Sequence, residues 1–215
     1  MAIAFDSSAL GVENTSSWNH TISGANTILF VTIAYGASDS VSTAKYAGVD
    51  MTLTDRISNL NGIFDVYHLI NPTAGTNSVA FTGTFTKRRG ASVSYTGANQ
   101  TTQPDAFISN STSSGTTTIT QALTVVNSNC WLIAIDYVTI SVATVNAGMT
   151  SRQNAQFWAS TSRVFCVEDS NGVISSGSVS TTFTYNAAQT ANYKFCISIN
   201  PFVSPNSGGD FFAFF

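Results

Sequence analysis

Charge is scarce in this chain. Only 9% of its 215 residues are Asp, Glu, Lys or Arg, against roughly a quarter in an ordinary soluble domain. This leaves few ion pairs and little electrostatic steering. The eight basic residues and the net charge of −3 argue against nucleic acid as a partner, because that affinity comes from clustered Lys and Arg neutralising phosphates. The one basic cluster, Lys87-Arg88-Arg89, reads as a solvated loop ahead of a strand.

Histidine and cysteine are equally sparse. His20 and His68 are far apart, and no HExxH, GxSxG or Cys-His arrangement accompanies them, which leaves nucleophilic and metallohydrolase chemistry without a foundation. Cys130, Cys166 and Cys196 each sit inside an apolar run with no CxxC spacing, so buried free thiols are expected and a metal site is not. No glycine-rich phosphate loop is present, and no cofactor is expected. The longest apolar stretches, Ile28 to Tyr35 and Cys130 to Val138, fall far short of the roughly 20 residues that span a bilayer as a helix. Membrane insertion is not expected. The opening Met-Ala-Ile-Ala-Phe-Asp lacks a basic start leading into an apolar core, so no secretory signal is expected and folding is assigned to the cytoplasm in which the chain is made.

What is abundant is β-forming sequence. Hydrophobic residues make up 43% of the chain and aromatics 12%, enough to fold despite the wealth of Ser, Thr, Asn and Gly. β-Branched and aromatic residues recur in runs of about five to eight bounded by turn residues, with no sustained helical period. The fold class predicted is all-β, a jelly-roll-like β-sandwich.

The halves of the chain repeat one order of features. Thr27 to Tyr35 matches Cys130 to Tyr137, and Ala47-Gly48-Val49 matches Ala147-Gly148-Met149. Ile63 to Ile70 then matches Arg163 to Ser170, Ser78 to Thr82 matches Ser178 to Phe183, and Ala91 to Tyr95 matches Phe195 to Ile199. Two half-units of this kind, face to face or interleaved, predict one sandwich of about ten to twelve strands. Two small tandem sandwiches are the competing arrangement. One domain over residues 1–203 is preferred, because Ala98 to Thr120 reads as a long connection into a Thr-rich strand. Residues 204–215 form a Pro/Ser/Gly linker and a tail carrying Phe211, Phe212, Phe214 and Phe215. Four such rings need cover. They either fold back on their own domain or dock on a neighbouring subunit, and the Gly-Gly before them makes either route easy.

Two chemistries deserve specific tests. Glycoside hydrolysis needs two carboxylates facing each other across a sheet, and only Asp65 and Asp136, both inside apolar strands, are candidates. Glu168 and Asp169 are adjacent and must point to opposite faces. Asp169-Ser170-Asn171-Gly172 reads as a plain turn rather than a calcium loop. Sugar binding without catalysis needs an exposed aromatic platform, for which Trp18, Trp158 and Tyr35 are the leading candidates, followed by Tyr46 and Tyr137.

Trp18-Asn19-His20-Thr21, Ile28-Leu29-Phe30-Val31, Tyr46 to Leu53, Leu69-Ile70-Asn71-Pro72, Ser94 to Gln100 with Gln103-Pro104-Asp105, Asn129 to Leu132 and the aromatic end Phe211 to Phe215 form a pattern over nearly the whole chain. It resembles a loosely defined group of β-sandwich proteins found in phage genomes and among bacterial surface or secreted proteins. The resemblance implies a non-enzymatic virion protein, either a capsid decoration or head-fibre subunit or a tail-associated adhesin. Its expected partners are other copies of itself, virion proteins and host surface glycan, and it brings no catalytic residues. A carbohydrate-binding module or lectin-like adhesin is the alternative.

Overall fold

The structure, a computed structural model, describes residues 1–59, 62–112, 115–139, 143–144, 148–158, 163–189 and 192–203. Among these there is no helix, and the chain is all-β as expected.

The first half contributes β1 (Ala4–Leu10), β2 (Ser17–Ile22), β3 (Ile28–Tyr35), β4 (Ser40–Tyr46), β5 (Val49–Asp50), β6 (Thr52–Asn59), β7 (Gly62–Ile70), β8 (Gly75–Thr84) and β9 (Arg88–Thr96). They form an inner sheet ordered β1-β9-β3-β7-β6 and an outer sheet ordered β2-β8-β4-β5. The second half contributes β10 (Ala106–Thr112), β11 (Thr116–Val125), β12 (Trp131–Thr139), β13 (Ala143–Thr144), β14 (Thr150–Trp158), β15 (Arg163–Asp169), β16 (Gly177–Gln189) and β17 (Asn192–Ile199). Its inner sheet runs β10-β17-β12-β15-β14 and its outer sheet β11-β16-β13. Taken in chain order, the inner orders coincide strand for strand. The repeat seen in sequence is thus a repeat of topology, with the matched runs lying on β3 and β12, β7 and β15, β8 and β16, and β9 and β17.

The layering explains why those runs are apolar throughout. Along β3, Leu29, Val31, Ile33 and Tyr35 pack against the outer sheet residues Trp18, Ile22, Tyr46, Val79 and Phe81. The alternate residues Ile28, Phe30 and Ala34 face the other way, into a core shared with Trp131, Ile133, Ile135 and Tyr137 of β12. Both inner sheets are therefore covered on both faces, and a strand in that position needs apolar residues at every register. Outer strands alternate, as in β2, where Trp18, His20 and Ile22 point inward between exposed neighbours. The molecule is a stack of outer, inner, inner and outer sheets.

The strand count exceeds the expected ten to twelve: seventeen strands are present among the described residues, divided between the two half-units. Each half is a two-sheet sandwich of its own, and the two are joined back to back. Phe64 is the keystone of that junction, with ring centroids of Tyr137, Phe165, Tyr193 and Phe195 at 5.2, 6.2, 6.3 and 5.4 Å. The connection between halves is tied down rather than loose. Asn99 N–H donates to Asn200 O at 2.8 Å and Gln103 Nε2 to the same carbonyl at 2.6 Å.

Candidate functional site

The structure does not bring Asp65 and Asp136 together. Asp65 projects from β7 toward the first outer sheet, among Tyr35 and Tyr67. Asp136 projects from β12 toward the second outer sheet, where Tyr185 lies. The whole shared aromatic core stands between them, so the two cannot flank one glycosidic bond. Each carboxylate has its own setting instead.

Asp65 is fully buried and held by three neighbouring side chains. Tyr35 Oη donates to Oδ2 at 2.8 Å and Tyr67 Oη at 3.0 Å, while Arg56 closes a bidentate fork at 2.7 Å to Oδ1 and 2.8 Å to Oδ2. Burial, reinforced by the Asp65 charge, raises the Tyr35 and Tyr67 hydroxyls well above their ordinary range. Arg56 is 40% exposed and lines a groove with Val41, Thr43, Met51, Leu53 and Tyr67. A buried carboxylate held by four donors, two of them from one guanidinium, is an anchor rather than a general base.

His20 sits in a network that sequence reading missed. Trp18 Nε1 donates to Ser92 Oγ at 2.9 Å, and Ser92 Oγ lies 2.8 Å from His20 Nδ1. On the other side, His20 Nε2 lies 2.9 Å from Ser94 Oγ and 3.0 Å from Ser7 Oγ. Ser94 donates onward to Asp6 Oδ2 at 2.9 Å, and Ser7 donates to Thr21 O at 2.5 Å. Each hydroxyl has one hydrogen, so the directions are determined: Nδ1 accepts from Ser92 and Nε2 carries the proton. The imidazole thus presents a hydrogen to Ser7 rather than a lone pair, and this constellation does not activate a serine nucleophile. Burial holds the His20 pKa down to about 4, against a smaller upward pull from Asp6.

The second sandwich encloses a denser ionisable cluster. On the outward face of its inner sheet, Asp136 of β12 is the direct cross-strand partner of Lys194 of β17 on one side and of Cys166 of β15 on the other. Glu168 lies one register along, opposite Ala134, and Cys166 Sγ is 3.6 Å from Glu168 Oε1. Asp136, Glu168 and Lys194 are all fully buried. Tyr185 Oη donates to Asp136 Oδ2 at 2.5 Å, whereas Asp136 Oδ1 has no partner. Lys194 Nζ reaches Thr181 O at 2.8 Å and Ile119 O at 3.2 Å, 4.6 Å from the Phe183 ring centroid. Burial raises the Asp136 carboxyl to about 7, with Tyr185 and Lys194 pulling against it and Glu168 adding to it. Burial likewise lowers Lys194. The three cysteines are buried and free, as expected.

Glu168 and Asp169 do point to opposite faces. Asp169 is forked by Arg152 at 2.6 and 3.0 Å and caps the following turn through Asn171 N–H at 2.9 Å. Among the described residues no group of three His, Cys, Asp or Glu is arranged to hold a metal ion.

The expected glycan platform does not form from the residues that can be placed. Trp18 is 9% exposed, with its indole N–H turned inward to Ser92, and Tyr35 is buried against Asp65. Tyr46 and Tyr137 are also core residues. Tyr35 and Tyr137 lie on inner strands buried on both faces, while Trp18 and Tyr46 cover β3 from the outer sheet, a layering that single-strand reading does not anticipate. The Trp158 side chain and the tail phenylalanines Phe211, Phe212, Phe214 and Phe215 lie outside the described residues.

The described residues also form an apolar surface groove. Met1, Ala2, Asn129, Val173, Pro201, Phe202 and Val203 line a groove of about 450 Å³. Met1, Val173 and Val203 are 65%, 62% and 72% exposed. The groove spans the two halves, since Phe202 N–H donates to Gly97 O at 2.7 Å and Ala98 bridges to Pro201. No family model, curated protein or solved structure matches this chain.

Proposed function

We propose that this protein is a non-enzymatic virion structural or surface subunit, a capsid decoration or head-fibre protein or a tail-associated adhesin, that assembles with copies of itself through the Phe-rich segment Phe211 to Phe215. The observation that carries the reading is the apolar groove at Val203, where the described chain hands over to that segment. From Val203 to Phe211 the chain spans up to roughly 28 Å, enough to leave its own groove and seat the phenylalanines in the groove of a neighbouring copy.

Other features support a structural subunit. In each half the inner order begins with the strands numbered first, last and third, and the outer order with the second and the last but one. This is the interleaved pairing of a jelly roll, and we read each half as one. The outer faces carry cross-strand hydroxyl pairs such as Thr43 with Thr82 and Thr120 with Thr182, both at 2.8 Å. Such a surface packs against neighbours with little dependence on salt.

Size-exclusion chromatography with light scattering, on the full chain and on a chain lacking Asp210 to Phe215, tests the assembly role. A defined oligomer that becomes monomeric on truncation, with its β circular dichroism intact, is the expected result. Monomers in both cases would place the segment on its own domain and remove the assembly reading.

A further inference from the structure

We propose that Lys194 and Asp136 are joined by an amide bond, formed between their side chains inside the folded second sandwich. The inference does not depend on the assembly reading.

Placement comes first. Asp136 and Lys194 are directly opposed on adjacent antiparallel strands, where Cβ atoms are about 4.5–5.5 Å apart. The lysine stem covers that gap. Both residues are fully buried, yet no ion pair joins them: among the described residues the ion pairs are Lys45 with Asp50, Arg56 with Asp65 and Arg152 with Asp169. Two buried ionisable groups held as neighbours without a direct contact are costly. An amide removes both.

The hydrogen bonding is that of a reactive pair. Lys194 Nζ has two carbonyl acceptors, Thr181 O and Ile119 O, which is the number a neutral amine satisfies while keeping its lone pair free. An ammonium would carry a third hydrogen. Desolvation favours the neutral amine, the nucleophilic form of lysine, and equally favours the protonated carboxyl of Asp136.

The two oxygens of Asp136 are distinguished by their partners. Tyr185 donates to Oδ2, so this oxygen becomes the stabilised oxyanion as Nζ adds to Cγ. Oδ1, with no partner, is the oxygen that leaves. Glu168, on the strand flanking Asp136 and close enough for its charge to act on that carboxyl, takes a proton from Nζ and passes it to Oδ1. One N–C bond forms, one C–O bond breaks and one water departs. No oxidant, reductant or co-reactant is required, and fixed proximity supplies the rate.

The bond would tie together β12 and β17, adjacent strands of the inner sheet. Because β17 leads to Val203, a pull on the segment beyond it would be borne by a covalent bond to β12 rather than by backbone hydrogen bonds alone.

Mass spectrometry of the denatured full chain tests this. The expected mass is one water below that of the sequence, and a digest should contain a branched peptide joining the segments that hold Asp136 and Lys194. Lys194→Ala and Asp136→Ala should each restore the sequence mass, and Glu168→Gln should leave most of the chain unlinked. Should folded wild-type protein keep the full sequence mass after prolonged incubation at neutral pH, the proposal is overturned. A water loss that persists in Lys194→Ala, or that maps elsewhere, overturns it equally. The wild-type branched peptide decides the matter even where a variant fails to fold.

Discussion

His20 shows how a single residue's chemistry is set by what surrounds it. Its two ring nitrogens are committed in opposite senses, one accepting from Ser92 and the other donating toward Ser94 and Ser7, and no lone pair or hydrogen is left for added charge. The consequence is a pH dependence of known sign. The unfolded chain takes up a proton near 6.5, whereas the folded one resists until about 4. Between those values the unfolded state binds more protons, so stability is lost as pH falls, by on the order of 3 kcal/mol in total. His68, lowered by burial as well, acts in the same direction. A free Asp136 carboxyl acts in the opposite sense, because it holds its proton when folded up to about 7. The His20 contribution is therefore read as a difference. Urea unfolding at pH 7.5 and pH 4.5 should show His20→Gln less stable than wild type at the higher pH, with that gap narrowing at the lower. An equal gap at both values would mean that folded His20 takes up its proton at the same pH as the unfolded chain.

At the scale of elements, polar side chains on the outward faces of inner strands brace one strand against the next. Asp65 links β7 to β3 through Tyr35 and to β6 through Arg56. Asp65→Ala strands two buried hydroxyls and one guanidinium at once. A loss on the order of 2–4 kcal/mol follows, measured as a shift in urea midpoint, while Arg56→Ala costs less because Arg56 is partly solvated. Sequence reading located these elements well. The matched runs of the two halves are matched strands, and the turn residues Ala47-Gly48 form a two-residue hairpin between β4 and β5, both at positive φ (50° and 81°). It miscounted sheets for a physical reason. The unbroken run Ile28 to Tyr35 is buried against separate sheets on its two faces, and nothing along the run itself says how many sheets cover it.

For the molecule as a whole, the junction between halves matters most. Phe64 meets four aromatic rings of the second half, so Phe64→Ala should cost about 3–5 kcal/mol. Calorimetry would show whether the halves then unfold in one transition or separately. A single transition with a lowered midpoint is expected if the shared core couples them, and a cost below about 1 kcal/mol would show the junction to be loosely packed. The same back-to-back arrangement brings residues from both halves to one groove at the point where the chain passes on to its phenylalanines.

Local pattern alone determined that the chain is built of strands, that it is duplicated and that its cysteines are free. Each of these depends on neighbours along the sequence, on composition or on spacing. Tertiary structure decided what those strands face. Whether Tyr35 and Trp18 lie on a surface or in a core, whether Asp65 meets Asp136 or Arg56, and whether Lys194 lies opposite a carboxylate are questions of which sheet covers which. That depends on pairings between residues up to a hundred positions apart, and no local run of residues encodes them.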